Sequence, residues 1–278
     1  MAKAIPMTSS NVLKKQKRMR RIRDNVELYS LILPVLIHIF IFSYIPMYGS
    51  LSAFQNYTPG SPILAFDGSV KWVGLKHFVS FVTSPMFPRL FYNTFHLSFL
   101  NLAFGFLCPI LFALLVNELK DNFFKKFLQT TSYMPYFIST VVVAGMVISF
   151  IDQGGLISNF LSAVFGLPNQ NWRDQAPAFP AIYTITNVWK GFGFGSILYI
   201  SSITSIDQSQ YESARIDGAN RGQQCWYITL PGIKNIIAIN LILAIGGILG
   251  TNSDLILLLY SPATYDVADG IGTYTYRI

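Results

Sequence analysis

The chain has 278 residues, 52% of them hydrophobic and only 12% charged, with a formal net charge of +7. A soluble domain carries roughly 25% charged residues; here the uncharged residues come in long blocks, which excludes a disordered or collagen-like chain and points to several membrane spans. Eight basic residues crowd the first 23 positions (Lys3, Lys14, Lys15, Lys17, Arg18, Arg20, Arg21 and Arg23), and directly ahead of an apolar segment such a run orients the chain and meets anionic headgroups rather than nucleic acid.

Residues 1–27 are expected as a basic cytoplasmic segment and 28–278 as a transmembrane domain. The first span runs over about 28–47, matching the ~20 residues that cross ~30 Å of hydrocarbon, and it is too long for a cleaved signal peptide. Residues 49–89 are mixed, with turn signals at Pro59-Gly60 and Ser61-Pro62. Further spans are expected over about 93–117, 133–151, 179–206 and 235–260. Pro135 marks the start of the third, and Lys190 interrupts the fourth. Residues 261–278 are polar and end without another span.

With the amino terminus inside, the inner segments carry the eight amino-terminal cations plus Lys120, Lys125, Lys126, Arg215, Arg221 and Lys234. The outer segments carry only Lys71, Lys76, Arg89, Arg173 and Arg277. This positive-inside bias places the hydrophilic loop 207–234 in the cytoplasm. Cys108 and Cys225 lie too far apart in the pattern to suggest a disulfide, and His38, His77 and His96 show no metal-ligand spacing.

The loop 207–234 reads as two short helices with a glycine break. Asp207 caps the first and Gln210 completes a capping box. Gly218 supplies the left-handed residue that ends it, and a second helix from about Gly222 to Leu230 is broken by Pro231. Tyr211, Ala214 and Arg215 share a face, and the small Ala214, Gly218 and Ala219 admit close approach of another surface.

The residues Glu212, Ala214, Gly218, Ile228, Leu230 and Pro231 stand at the spacing Glu-x-Ala-x3-Gly-x9-Ile-x-Leu-Pro. This resembles the EAA loop of the permease subunits of binding-protein-dependent ABC importers, with Ser213 where the family usually has alanine. Asp217-Gly218-Ala219, Trp189-Lys190-x-Phe192-Gly193-Phe194, Gly74-Leu75-x-x-Phe78 and Asn93-Thr94 are similar to the sugar branch of that family. The resemblance covers residues 28–278.

It implies an all-α integral membrane protein, a polytopic helical bundle of ABC-importer permease type. Five spans are visible; the sixth usual in the branch is absent, which reads either as a chain that continues further or as a departure from the pattern. It further implies the membrane-spanning subunit of an ATP-driven importer, passing a sugar or oligosaccharide from an extracytoplasmic binding protein into the cytoplasm. The location implied is the inner membrane of a bacterium or archaeon, with lipid contact and no nucleic-acid partner. The expected partners are a homologous second permease, two cytoplasmic ATPase subunits and the binding protein. No Gly-x4-Gly-Lys-Ser/Thr phosphate loop occurs in the chain, so it is not itself an ATPase of that type, and it needs no cofactor of its own; ATP and Mg belong to the partner. Tyr211, Glu212, Ser213, Ala214, Arg215, Asp217, Gly218, Ala219, Leu230 and Pro231 are then the coupling residues.

Polar side chains within spans face the bundle interior or a cavity. Tyr183, Asn187, Lys190 and Phe194 recur at helical spacing on one face and, with Asn101 on the second span and Asn252 and Asp254 on the fifth, are candidates for the substrate pathway. The competing reading is helix-to-helix packing or a Lys190–Asp254 pair kept for structure. An alternative function is a secondary transporter driven by an ion gradient, with Asp254 and Lys190 as ion-linked residues, although no inverted repeat is visible.

Overall fold

The computed structural model describes residues 25–58, 60, 63, 70–248, 250 and 252–277. The basic run of residues 3–23, and Pro59, Ser61 and Pro62 of the expected turns, lie outside them. The chain divides into two compact units, residues 1–84 and 85–278.

In the first unit, α1 (Val26–Phe54) is a single long helix, widened to a π turn at Phe40–Tyr44 and tightened to a 3-10 turn at its end. Its apolar side chains are exposed all round, Leu31 to 73%, so its surface is made for lipid or another helix rather than for water. After it, Gln55 pairs with Trp72 in an isolated antiparallel bridge, the His77 ring nitrogen meets the Gln55 carbonyl at 2.9 Å, and Phe78 of α2 (Lys76–Val82) packs on Phe54.

The second unit is built round α3 (Phe87–Asn117), an unbroken helix although Pro109 stands inside it. The next apolar block is α4 (Phe123–Phe137), α5 (Thr140–Ile151) and α6 (Leu156–Phe165). Pro135 offers no N–H, Ile138 turns extended, and Ser139 caps α5 by accepting from Val142 N–H, so the expected third span over 133–151 is interrupted. Next come α7 (Phe179–Gly195) and α8 (Ile197–Thr204), divided at Ser196 just after the run Gly191, Gly193, Gly195.

The expected fifth span over 235–260 is likewise two pieces, α11 (Lys234–Gly246) and α12 (Ser253–Leu259), because Gly246, Gly247 and Gly250 withdraw helix propensity from its middle. Among the described residues, Val26–Phe54, Phe87–Asn117 and Thr140–Phe165 are long and apolar enough to cross a membrane. The pair Arg221–Gly232 and Lys234–Gly246, bent by 61°, makes a fourth by the same measure. Among the described residues the five continuous spans read from hydropathy are thus replaced by fewer long helices and several broken ones, each break lying within three residues of a Pro or Gly.

Two apolar cores lie along α3. One gathers Leu97 with Ala144, Phe179, Tyr183, Leu255, Ile256 and Leu259; the other gathers Ile110 and Ala113 with Tyr199, Ile203 and Ile233. Near the first, the carboxyl-terminal segment, with α13 (Tyr265–Ala268) and α14 (Ile271–Arg277), is tied back by hydrogen bonds. Asn93 donates to the carbonyls of Asp266 and Asp269, and Thr94 Oγ1 accepts Ile271 N–H. The fully buried Asp269 carboxylate is held by Thr273 and by the Arg277 guanidinium. Arg173 donates to the carbonyls of Leu259 and Tyr260 at the end of α12. Asn93-Thr94, a motif in the sequence, therefore serves as a fastening for residues 266–271.

Candidate functional site

A cavity of about 460 Å³ lies between α3, α7, α8 and α11. Along α3 it runs from Ser98 to Pro109, about 16 Å at 1.5 Å per residue, and so fills the interval between the two apolar cores. Its walls carry Ser98, Asn101, Tyr183, Asn187, Tyr199 and Asn240. Two of these amides join a third outside the walls in a chain: Asn187 donates to Asn101 Oδ1 at 2.5 Å, and Asn252 donates to Asn187 Oδ1 at 3.3 Å. The Tyr183 hydroxyl accepts the Asn252 backbone N–H at 3.2 Å. Asn252 also caps α12 by accepting from Leu255 N–H, so the network is anchored where the fifth block breaks. Ser98 is 93% buried, and its hydroxyl has no partner among the described residues although it borders the cavity. An orphaned hydroxyl costs about 1–3 kcal/mol, which a hydroxyl-bearing guest or water would recover.

A larger hollow of about 910 Å³ between α3 and α7 is walled by Leu100, Phe104, Leu111, Phe112, Ile185 and Trp189. It offers few hydrogen bonds and suits acyl chains or a helix better than a polar solute.

Of the residues expected along a substrate path, Tyr183, Asn187 and Asn252 meet with Asn101, whereas the rest do not join them. Lys190 donates to Thr140 Oγ1 at 2.7 Å, and Phe194 stacks on Tyr136 with ring centroids 4.0 Å apart. Asp254 is exposed in the first turn of α12, and no ion pair joins it to Lys190. The single stripe read from spacing is split because a side chain reaching for α4 or α5 turns away from α3 and α11. Ser98, Tyr199 and Asn240 were missed; Asn240 alone carries a sequence signal, as an amide inside an apolar block.

The loop 207–234 forms a second site. Helix α9 (Gln208–Ile216) is capped by the Asp207 carboxylate, which accepts Ser209 N–H; that bond holds the carboxyl below its ordinary range. Gln210 takes no part in a box here; the capping box stands instead at the start of the next helix, between Asn220 and Gln223. Gly218 adopts φ +79° after α9. Ala219 N–H bonds to Ala214 O and Gly218 N–H to Arg215 O, the paired pattern of a Schellman stop.

Helix α10 (Arg221–Gly232) then runs through Pro231, widening to a π turn at Cys225–Thr229 just ahead of the residue that has no N–H to give. It stops at Ile233, not at Pro231 as the sequence suggested. Tyr211, expected to share a face with Ala214 and Arg215, is buried, and its hydroxyl meets Thr229 Oγ1 at 2.9 Å, fastening α9 to α10. Arg221 bonds to the Glu118 carbonyl and pairs with its carboxylate at 3.6 Å, fastening the elbow to the end of α3. Glu212, Ser213, Arg215 and Asp217 are exposed, Ala214, Ala219 and Leu230 half-buried, and Ile216 is 87% exposed.

Residues 105–277 match the model of the binding-protein-dependent transport system inner membrane component. The chain belongs to that family. As a permease of this kind it is 39% identical over 274 residues to the polygalacturonan/rhamnogalacturonan transport system permease protein YteP of Bacillus subtilis, covering 98% of this chain and 84% of that one. Protein LplB of the same organism is 37% identical over 90% of this chain and 78% of its own length. The permease also superposes with TM-score 0.83 and 41% identity on a chain from the crystal structure of a bacterial ABC transporter involved in the import of the acidic polysaccharide alginate, covering 94% of this chain and 86% of that one. A second match, with TM-score 0.82, comes from the alginate transporter in complex with an alginate pentasaccharide-bound periplasmic protein. The all-α permease fold and membrane character follow from family, helices and neighbours together.

Proposed function

We propose that this permease conducts an oligosaccharide across the inner membrane of a bacterium or archaeon, and that ATP hydrolysis on partner subunits drives it through the elbow 207–234. The observation that carries the reading is an elbow tied at two points with a bare apolar tip: α9 and α10 are joined by Tyr211–Thr229 and the elbow touches the end of α3 through Arg221–Glu118, while Ile216 is left outward among Glu212, Arg215 and Asp217. A fastened elbow passes displacement to the bundle, where a loose loop would absorb it. An exposed isoleucine ringed by charges has the composition of a docking anchor with a polar rim.

The assembly is a second, homologous permease, two ABC ATPase subunits carrying ATP and Mg, and an extracytoplasmic binding protein. The amino terminus lies in the cytoplasm, on the elbow side, as the distribution of Lys and Arg indicates. The coupling residues are Glu212, Ser213, Arg215, Ile216 and Asp217 by contact, with Tyr211, Ala214, Gly218, Ala219, Leu230 and Pro231 shaping the elbow. The cargo path passes the cavity lined by Ser98, Asn101, Tyr183 and Asn187, whose amides and hydroxyls suit sugar hydroxyls. Oligosaccharide cargo is supported by the polygalacturonan/rhamnogalacturonan and alginate systems to which the chain is similar.

The structural Lys190–Asp254 pair is not formed, and the gradient-driven alternative is left with Lys190 bonded to Thr140 and Asp254 exposed as its ion-linked residues. Proteoliposomes holding the assembled complex, loaded with ATP and without an ion gradient, are expected to take up oligosaccharide when the binding protein is present. Uptake that follows an imposed ion gradient and ignores ATP would overturn the proposal.

A further inference from the structure

The two aromatic side chains of α10, Trp226 and Tyr227, are 67% and 74% exposed, while Gln224 is half-buried and Thr229 buried. A helix made for water keeps its large apolar side chains for the covered face. On α10 that face is taken by α9, whose Tyr211 reaches Thr229, and the aromatics stand off it. Where they stand follows from the bend. α10 meets α11 at 61°, and α11 carries the apolar stretch into the membrane, with Ile242 and Leu243 exposed along it. With α11 along the membrane normal, all of α10 lies within about 8 Å of the inner end of α11, and Trp226 within about 5 Å, at 1.5 Å per residue. A helix tilt of about 20° moves Trp226 by no more than about 3 Å. The headgroup layer on each side of the hydrocarbon is about 5–8 Å deep, so α10 runs through it.

Cations stand at both ends of α10. Lys234 opens α11, and Lys120 lies two residues beyond Glu118, the partner of Arg221. Lys120 and Lys234 are exposed, and neither enters an ion pair among the described residues. We propose that α10 is an interfacial helix, with Trp226 and Tyr227 set among anionic phospholipid headgroups of the inner leaflet and Lys120 and Lys234 meeting their negative charge. The inference rests on the cytoplasmic placement of the elbow and adds the surface on its other side. Trp and Tyr suit that layer, because each joins an apolar ring to a polar hydrogen-bonding tip. The exposed face of α10 is continuous with the exposed apolar residues of α11, whereas Ile216 lies on α9, across the Gly218 turn. The elbow is thus held by the bilayer along α10 while α9 is left for a protein partner.

The test reads Trp226 in the whole importer reconstituted in bilayers, as the fluorescence of wild type less that of Trp226→Phe. Phospholipids brominated near the headgroup end of the chain, or at mid-chain, quench a tryptophan that they touch. The expected result is quenching of the Trp226 signal, stronger from the headgroup end. Exchanging brominated phosphatidylglycerol for brominated phosphatidylcholine gives the relative affinity at that place, expected to favour the anionic lipid. Lys234→Gln, and Lys120→Gln likewise, should lower that preference about fivefold, the worth of one cation beside an anionic surface.

A Trp226 signal quenched by acrylamide in the water and by neither brominated lipid overturns the proposal, because α10 then faces solvent. A signal that neither kind of quencher reaches overturns it too, because a protein surface then covers the aromatics. Equal affinity for the two lipids, or a preference that neither lysine variant lowers, overturns the anionic assignment and the proposal with it. The measurement needs neither cargo nor ATP hydrolysis. Quenching with no ATPase captured at Ile216 leaves the interfacial helix standing and sinks the coupling reading; capture without quenching does the reverse.

Discussion

Gly193 of α7 sits directly against the backbone of Ser132 in α4. A methyl built there would lie 2.0 Å from the Ser132 carbonyl oxygen and 2.5 Å from its carbon, both backbone atoms that no rotamer change can remove. Relief requires the two helices to part by at least about 1 Å, which loosens the Tyr136–Phe194 stack as well. Overpacking costs typically 1–3 kcal/mol, and a backbone obstacle places Gly193→Ala at about 3 kcal/mol. Gly191, two residues earlier on the same helix, has open space where its methyl would go. Gly191→Ala gains helix propensity of about 1 kcal/mol and should be neutral or slightly stabilising. In detergent-solubilised complex followed by intrinsic fluorescence, Gly193→Ala should melt roughly 6–12 °C below wild type and Gly191→Ala at or above it. Equal melting of the two variants would refute the argument, since composition and secondary structure are matched and only the approach of α4 differs.

Four further outcomes are expected. Gly218→Ala meets no steric obstacle but must hold φ +79°, so it should cost about 1–2 kcal/mol at the elbow, read as faster amide exchange over 214–222 with an unchanged melting temperature. Tyr211→Phe removes the bond to Thr229, about 1 kcal/mol, and should lower transport per ATP hydrolysed while the complex still assembles; unchanged coupling would count against the elbow's stiffness mattering. Asp269→Ala takes the carboxylate from the Arg277 guanidinium, which is 36% exposed, and from the Thr273 hydroxyl, and should cost about 1–3 kcal/mol, visible as proteolysis of residues 260–277. Because Asp207 is held below its ordinary carboxyl range by Ser209 N–H, its cap is in place above that range and weakens as pH falls through the depressed value. Acid fraying of α9, followed by amide exchange at low pH, should therefore be present in wild type and absent in Asp207→Asn, which caps without titrating.

Local chemistry and long-range geometry were legible to different degrees. Gly218 and the EAA spacing are local, and the left-handed stop at Gly218 stands where glycine and its neighbours required it. The family itself was readable from those few residues, because their spacing is strict. Hydropathy marked the apolar blocks but not their breaks: Pro135 and the glycines at 246, 247 and 250 interrupt helices that composition alone would run straight through. The burial of Tyr211 was not legible, because spacing shows which residues share a face and not which face is covered; Thr229, its partner, lies eighteen residues on in another helix. The amide network was half visible for the same reason. Asn101, Asn187 and Asn252 each stood out as polar within apolar blocks, whereas the turn of Lys190 and Phe194 toward α4 and α5 depends on packing that no periodicity records.

The central claim is that the elbow seats on a nucleotide-hydrolysing neighbour, and Ile216 is the place to ask. With Cys108 and Cys225 replaced, a cysteine-directed photocrosslinker at Ile216→Cys in native membranes should capture an ATP-hydrolysing subunit, with a yield that changes when a non-hydrolysable ATP analogue is added. Capture of lipid alone, or of no ATPase under any nucleotide condition, would contradict the account.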